Sequence, residues 1–198
     1  MEKPEILLSV LIPSIPSRLP KLTALLEIFA AQANPQLEVL VFLDNCQRPL
    51  GSKRNALMQQ AAGRYCCHID DDDTVSSDFF ARLLPDLQSH VDLIHFDADA
   101  SLNGAPPFKI TTVLGAQNQQ PRHLPNGRYS DIVRTPWHFN AWRTELARTF
   151  RFPEFFHGAE DAFWLNQILP AVTTSRKVDA VLFHHFYDSR GTTFPEHK

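Results

Sequence analysis

Cysteine is scarce in this chain: there are three in 198 residues, two of them adjacent as Cys66-Cys67. An odd count at that spacing is not a disulfide framework and suits a reducing compartment. Long apolar runs are missing as well. The run from Ile6 to Ile12, broken only by Ser9, is far short of the roughly 20 residues a membrane span needs. Glu2 and Glu5 beside it argue against a signal peptide. The expectation is a soluble, cytoplasmic protein with no transmembrane segment. An excess of charge of either sign is also lacking. A net charge of −3 excludes a general nucleic-acid coat protein, and no internal repeat is present.

What remains is an ordinary globular composition, 43% hydrophobic and 21% charged, in a length that suits one domain with a sizeable core. The charge is unevenly spread. Arg122, Arg128, Arg134, Arg143, Arg148 and Arg151 share a segment with only Asp131 and Glu145, a local +4 that leaves −7 elsewhere. Such a segment fits an anionic ligand or acceptor, and surface solubility explains it equally well. The most informative feature is the run Asp70-Asp71-Asp72-Asp73, which no Lys or Arg adjoins. Four like charges repel. A hard divalent cation, Mg2+ or Mn2+, would offset the repulsion, while a solvated turn capping the next helix is the plainer account.

The surrounding pattern bears on that choice. Ile6 to Ile12, Leu37 to Leu43 and Tyr65 to Ile69 read as buried strands. Between them lie helices from Leu19 to Gln32 and from a Ser52 cap to Ala62. This βαβαβ order implies a parallel sheet with right-handed crossovers. Ligands bind such sheets beyond the carboxyl ends of the strands, so Pro13-Ser14, Asp44 and Asp70–Asp73 should share one edge. That convergence favours the metal. Further on, a helix is expected near Ser77 to Leu87, strands at Val91 to Phe96, Phe108 to Leu114 and Val178 to Phe183, and a helix beginning near Glu160. Asn103 to Gly127, rich in Pro, Gln and Asn, otherwise reads as loop.

Six segments in order carry a resemblance: Ser9-Val-Leu-Ile-Pro13, Glu38-Val-Leu-Val-Phe-Leu-Asp44, Lys53-Arg-Asn-Ala56, Ala62-Gly-Arg-Tyr65, Ile69-Asp-Asp-Asp-Asp73 and His157-Gly-Ala-Glu-Asp161. From about Ser9 to Thr193 the chain resembles the family 2 glycosyltransferases. The resemblance implies a single α/β GT-A (Rossmann-like) domain over 1–198, with a mostly parallel central sheet flanked by helices. Residues 1–100 would bind the nucleotide-sugar and 101–198 the acceptor. It implies a nucleotide-diphospho-sugar donor, a UDP-sugar first among these, a divalent metal (Mn2+ or Mg2+), and inverting transfer to a glycan or other hydroxyl acceptor.

Residue by residue, the resemblance places Asp70 and Asp72 at the acidic positions of the DxD motif, Asp72 on the metal and Asp70 on ribose or metal-bound water. A metal there stabilises the charge a leaving nucleoside diphosphate gains. Asp73 matches a frequent third acid. Asp71 joins the donor contacts as the solvated member of the run. Asp44 falls where the base or ribose is met; Pro13, Ser14 and Arg18 surround the nucleotide; Arg54 approaches the phosphates from a helix start. Glu160-Asp161 matches the catalytic pair, with Asp161 as general base. His184 or His185 is a third metal ligand or phosphate contact. Trp142-Arg143 and Phe163-Trp164-Leu165 suit either the acceptor pocket or the core.

The segment from Asn103 to Pro136 lacks family sequence, which leaves the acceptor open. A phosphorylated glycan, or a modified base in nucleic acid, would suit the basic segment. Asp70-x-Asp72-x-Thr74 also fits a haloacid-dehalogenase-like phosphatase, although that motif normally opens its domain and position 73 lacks the usual Gly. A sugar nucleotidyltransferase would need a Gly-rich first loop, and Pro13 to Arg18 holds no Gly. A non-catalytic nucleotide-sugar-binding module is the remaining class.

Overall fold

The computed structural model describes residues 4–155 and 159–188. Its first strand, β1 (Leu8–Ser14), is buried at all seven positions because it lies between two parallel neighbours. These are β2 (Leu37–Leu43) and β3 (Tyr65–His68). Helix α1 (Leu19–Ala31) buries Leu22, Leu25 and Phe29, one face at helical spacing. Helix α2 (Leu50–Gln60) begins two residues before the expected Ser52 cap. Pro49, extended at φ −55° and ψ 149°, starts it, and the helix has no side-chain cap.

After β3 the chain forms the short β4 (Thr74–Val75) and then α3 (Phe79–Leu83). The latter is shorter than expected, and Pro85, which has no N–H to donate, stands two residues past its end. Strand β5 (Leu93–Leu102) runs six residues beyond the expected Phe96. Next come β6 (Phe108–Thr112), β7 (Ile132–Arg134), β8 (Ala141–Arg143) and α4 (Thr144–Arg148). Helix α5 (Glu160–Ile168) and β9 (Ser175–Tyr187) complete the order. No strand was expected just beyond the loop read from Asn103 to Gly127, where β7 pairs in parallel with β6.

Among the described residues nine strands join one sheet with the path β2-β1-β3-β8-β5-β6-β7; β9 also pairs β5, and β4 pairs β9. The long ladders are parallel, β1 with β2 and β5 with β9, while β8 is a short antiparallel insert between β3 and β5. This is the mostly parallel, helix-flanked GT-A-like sheet that the motifs imply. No helix among the described residues is long and apolar enough to cross a membrane.

Strand alternation sends side chains to two cores. Val10, Ile12 and Cys67 meet α1 and α3 on one face; Leu11, Cys66 and Trp142 meet α2, α4 and α5 on the other. The adjacent cysteines therefore point apart and are free, and burial pushes the Cys66 thiol up to about 12. Trp142 is fully buried, as is Trp164, so both belong to the core and not to a pocket wall. Phe163, by contrast, is exposed.

Helix α2 is seated by a glycine. A Cβ on Gly51 would lie 2.0 Å from the Pro153 carbonyl oxygen, a backbone atom. Gly51→Ala is expected to lower unfolding free energy by about 1–3 kcal/mol in urea titration, the range for overpacking. A change below 0.5 kcal/mol would show that α2 can shift freely.

Candidate active site

Ser14 ends β1, Asp44 follows β2, and Asp70–Asp73 follow β3, so the three stand at one sheet edge. Because β8 runs antiparallel, the residues entering it, Trp137 and His138, reach the same edge. Glu160 and Asp161 open α5 beside them. The predicted convergence holds, and three residues without a predicted role join it: Lys53, Trp137 and His138.

The acidic run has cationic partners brought from elsewhere in the chain. Arg54, 1% exposed, donates from Nη2 to Asp70 Oδ1 at 2.7 Å and from Nε to Glu160 Oε1 at 3.3 Å. Its guanidinium lies 5.7 Å from the centre of the Phe152 ring. Burial alone would raise the pKa of Asp70, but Arg54, and then His138, hold it far below the usual carboxylate range. Asp71 is not solvated, contrary to expectation. It is 2% exposed, accepting from Ser14 Oγ at 2.6 Å and Arg18 Nη1 at 2.8 Å. A turn closed by Asp73 N–H on Asp70 C=O turns it inward.

Asp72, like Asp70, keeps about a quarter of its side chain exposed, and its cationic neighbour is Arg18 at 3.1 Å. Burial pushes its carboxyl up to about 6; Asp70, Asp73 and Asp71 add to this, and Arg18 only partly opposes them. Asp73 accepts from the Phe186 N–H at 2.8 Å and lies 3.0 Å from His185 Nδ1. Burial raises its pKa against the pull of His185. His185 is in turn raised by Asp73, despite its own burial. His184, one residue earlier on the strand, faces the other way, 3.7 Å from Asp99. Of the two histidines, only His185 meets the acidic run.

On the far side of Asp70, the Trp137 indole Nε1 donates to Asp161 Oδ2 at 2.5 Å. His138 is buried between the two acids, with Nε2 3.5 Å from Asp70 and Nδ1 3.5 Å from Asp161. Burial opposes the charge on Asp161, but His138, Arg54 and Trp137 together keep it strongly ionised. Glu160, 5% exposed, faces Arg54 and steadies it. At the opposite end Lys53, 3% exposed, pairs with Asp44 and donates to the Ser14 carbonyl at 3.0 Å. Pro13, also buried, precedes Ser14 in β1.

Among the described residues, no three His, Cys, Asp or Glu side chains form a ready metal cage. Beside Asp72 and Asp73 runs a groove of about 650 Å³, lined also by Lys21, Ile28, Phe186 and Tyr187. His157, Gly158, Thr192 and Thr193 of the predicted motifs lie outside the described residues.

The chain matches no protein-family model, and no curated protein is significantly similar to it in sequence. Its fold is another matter. The crystal structure of Staphylococcus aureus TarS 1–349 with UDP-GlcNAc matches it at a TM-score of 0.67 and 18% identity, over 91% of this chain and 58% of that one. The same TarS segment with UDP gives 0.63 and 19%, over 91% and 60%. The TarS structure not limited to that segment gives 0.66, and 36% of its length is covered. The likeness is one of fold. This chain spans well under two thirds of the TarS structures it matches.

The crowding at Asp72 has a measurable consequence. Its carboxyl moves from an ordinary 3.8 to about 6, so ionisation opposes folding. The cost is absent below about pH 3.8, grows between the two values and is complete above about 6. Asp72→Asn is expected to raise the thermal midpoint at pH 7.5 by a few degrees, roughly 1–3 kcal/mol. The gain should vanish near pH 4. A less stable variant at pH 7.5 would contradict the assignment.

Proposed function

We propose that this chain transfers a sugar from a nucleoside-diphosphate sugar to an acceptor hydroxyl, with inversion at the anomeric carbon. The observation that carries the reading is Asp161, held ionised and oriented by Trp137 in the same buried cluster as Asp70 and Arg54. In this reading Asp70 and Asp72 would serve the donor phosphates and Asp161 the acceptor hydroxyl. A UDP-sugar is the first donor to test, because TarS, a protein of this fold, is seen with UDP-GlcNAc and with UDP.

The donor's diphosphate would lie against Asp72, Arg18 and Arg54. The Nη1 of Arg54 is buried without a hydrogen-bond partner, and a phosphate oxygen would satisfy it. Asp44, with Lys53 beside it, would meet the nucleoside, while Pro13 and Ser14 are buried and would only back that contact. A divalent metal fits this donor set. The acids are hard oxygen ligands, and the raised pKa of Asp72 marks an uncompensated negative site. Mg2+ and Mn2+ commonly use only one or two carboxylates and take other ligands from substrate phosphates, so the lack of a three-residue cage does not conflict. When bound, the metal would neutralise charge on the departing nucleoside diphosphate. Asp72 would hold it, with Asp70 and His185 the nearest further candidates.

Asp161 takes the acceptor's proton as the hydroxyl oxygen bonds to the anomeric carbon and the bond to the donor phosphate breaks. A carboxylate this acidic is a weak base in the ground state. It becomes competent because the hydroxyl acidifies as the new bond forms. The indole hydrogen bond from Trp137 fixes its angle of approach, and Glu160 contributes indirectly by holding Arg54. The phosphatase reading requires Asp70 as a free nucleophile, and Asp70 is instead ion-paired.

Asp72→Ala and Asp161→Ala are each expected to reduce transfer by about 10²–10⁴-fold. Titration calorimetry with UDP-GlcNAc and Mn2+ separates the roles: Asp72→Ala loses donor binding and Asp161→Ala keeps it. Equal donor binding by both variants would sink the assignment.

A further inference from the structure

The basic segment Arg122–Arg151 is largely accounted for by internal partners. Arg143 pairs with Asp92 at 2.8 Å and Arg151 with Glu154 at 2.8 Å. Arg148 donates to the backbone carbonyls of Met58 and Ala61, and Arg128 to that of Pro107. Arg134 differs. It ends β7, where its backbone is fixed by pairing with Thr112 and by the Val113 N–H on its carbonyl. Its side chain has no ion pair or hydrogen bond among the described residues, and its Nε is buried without a partner. The guanidinium lies 3.9 Å from the centre of the Trp137 ring.

Trp137 is the same ring whose Nε1 holds the proposed base, Asp161. Arg134 is therefore stacked on the side chain that aims the base. Along the sheet path β7 is the last strand and β2 the first, which separates Arg134 from Asp44 and Lys53 at the nucleoside end. Stacking on an indole leaves the edge of a guanidinium, with its fork of donors, free for a bidentate anion. Burial disfavours the Arg134 charge and Asp161 only partly offsets this from a distance, so a half-buried cation with no direct ion pair among the described residues stands beside the base.

We infer that Arg134 reads an anionic group on the acceptor, a phosphate or a carboxylate, and thereby places that acceptor's hydroxyl at Asp161. This deepens the transferase reading and rests on it. It selects acceptors that carry a negative group near the reacting hydroxyl and disfavours neutral sugars. Trp137 then does two things at once: its ring face supports the anion-binding guanidinium and its N–H orients the base.

The test is a titration of protein first saturated with UDP and Mn2+, so that donor phosphate contacts are filled. Glycerol 3-phosphate, methyl glucuronide and glycerol are the probes. The expected result is binding of one or both anions and none of glycerol. Which anion binds distinguishes a phosphate-bearing from a carboxylate-bearing acceptor. Arg134→Gln should weaken that binding about 10- to 100-fold, the equivalent of one charged hydrogen-bond pair. Arg134→Lys should restore part of it, and UDP affinity should stay within twofold in both variants. The inference is overturned if no anion binds the saturated wild type, if Arg134→Gln binds anions as well as wild type, or if the variant's loss falls on UDP instead. Failure of UDP to bind wild type is read in the first titration. It refutes the UDP-sugar donor, and the acceptor assignment, which rests on that donor filling the phosphate contacts, falls with it.

Discussion

Arg54 is 1% exposed with carboxylates on two sides, and the arrangement of the sheet edge follows from it. A guanidinium taken out of water costs several kcal/mol, and only well-placed counter-charges offset that. Asp70 and Glu160 supply them from the end of β3 and the start of α5, segments 90 residues apart in the chain. The ion pairs thus fix where α5 begins relative to the acidic run. Removing either acid leaves the other charge with a buried, half-paired partner, a loss typically larger than the net worth of the pair. The stability of this corner and the separation of its two acidic centres share one side chain.

Around that pair the remaining charges sort by depth. Asp71 and Asp73 are satisfied inward, by Ser14 and Arg18 and by His185 and the Phe186 amide. Asp72 is left with the least compensation, which is where a ligand of opposite sign gains most. The run looked unbalanced in the sequence because its cations come from residues far away along the chain. Like-charge neighbours in sequence are tolerable when tertiary structure splits them between separate partners.

The βαβαβ opening was legible because parallel strands are continuous apolar runs. Strand β2 has the bounds read for it, Leu37–Leu43, but it is not the buried strand expected: as the first strand of the sheet path it is only partly covered, with Val41 and Leu43 exposed. The C-terminal end of β5 was not read, although Phe96-Asp-Ala-Asp-Ala100 alternates with period two. Its small alanines carry little hydrophobic signal. Strands of two or three residues, β4, β7 and β8, are set by tertiary pairing and have no period to detect. At the site, acids in recognisable spacings were found, and so was Arg54. Trp137 and His138 were missed because their role depends on β8 running antiparallel to β3. Lys53 was visible within Lys53-Arg-Asn-Ala56, but its burial against Asp44 is a tertiary fact.

The irregular pairing of β9 with β5, where register shifts on either side of Asp97, bears on the two adjacent histidines. Beyond the shift, Phe183 sits opposite Ala98 and His185 opposite Ala100, which turns His185 to the acidic run and His184 to Asp99. Bulged ladders are the places where strands slip. A slip of one residue normally replaces a functional side chain with one from the other face. Here the preceding neighbour is also histidine, so a slip in that direction still presents an imidazole to Asp73, whereas the opposite slip would present Phe186. The doubled residue makes the acidic run's partner tolerant of an error in strand alignment in one direction.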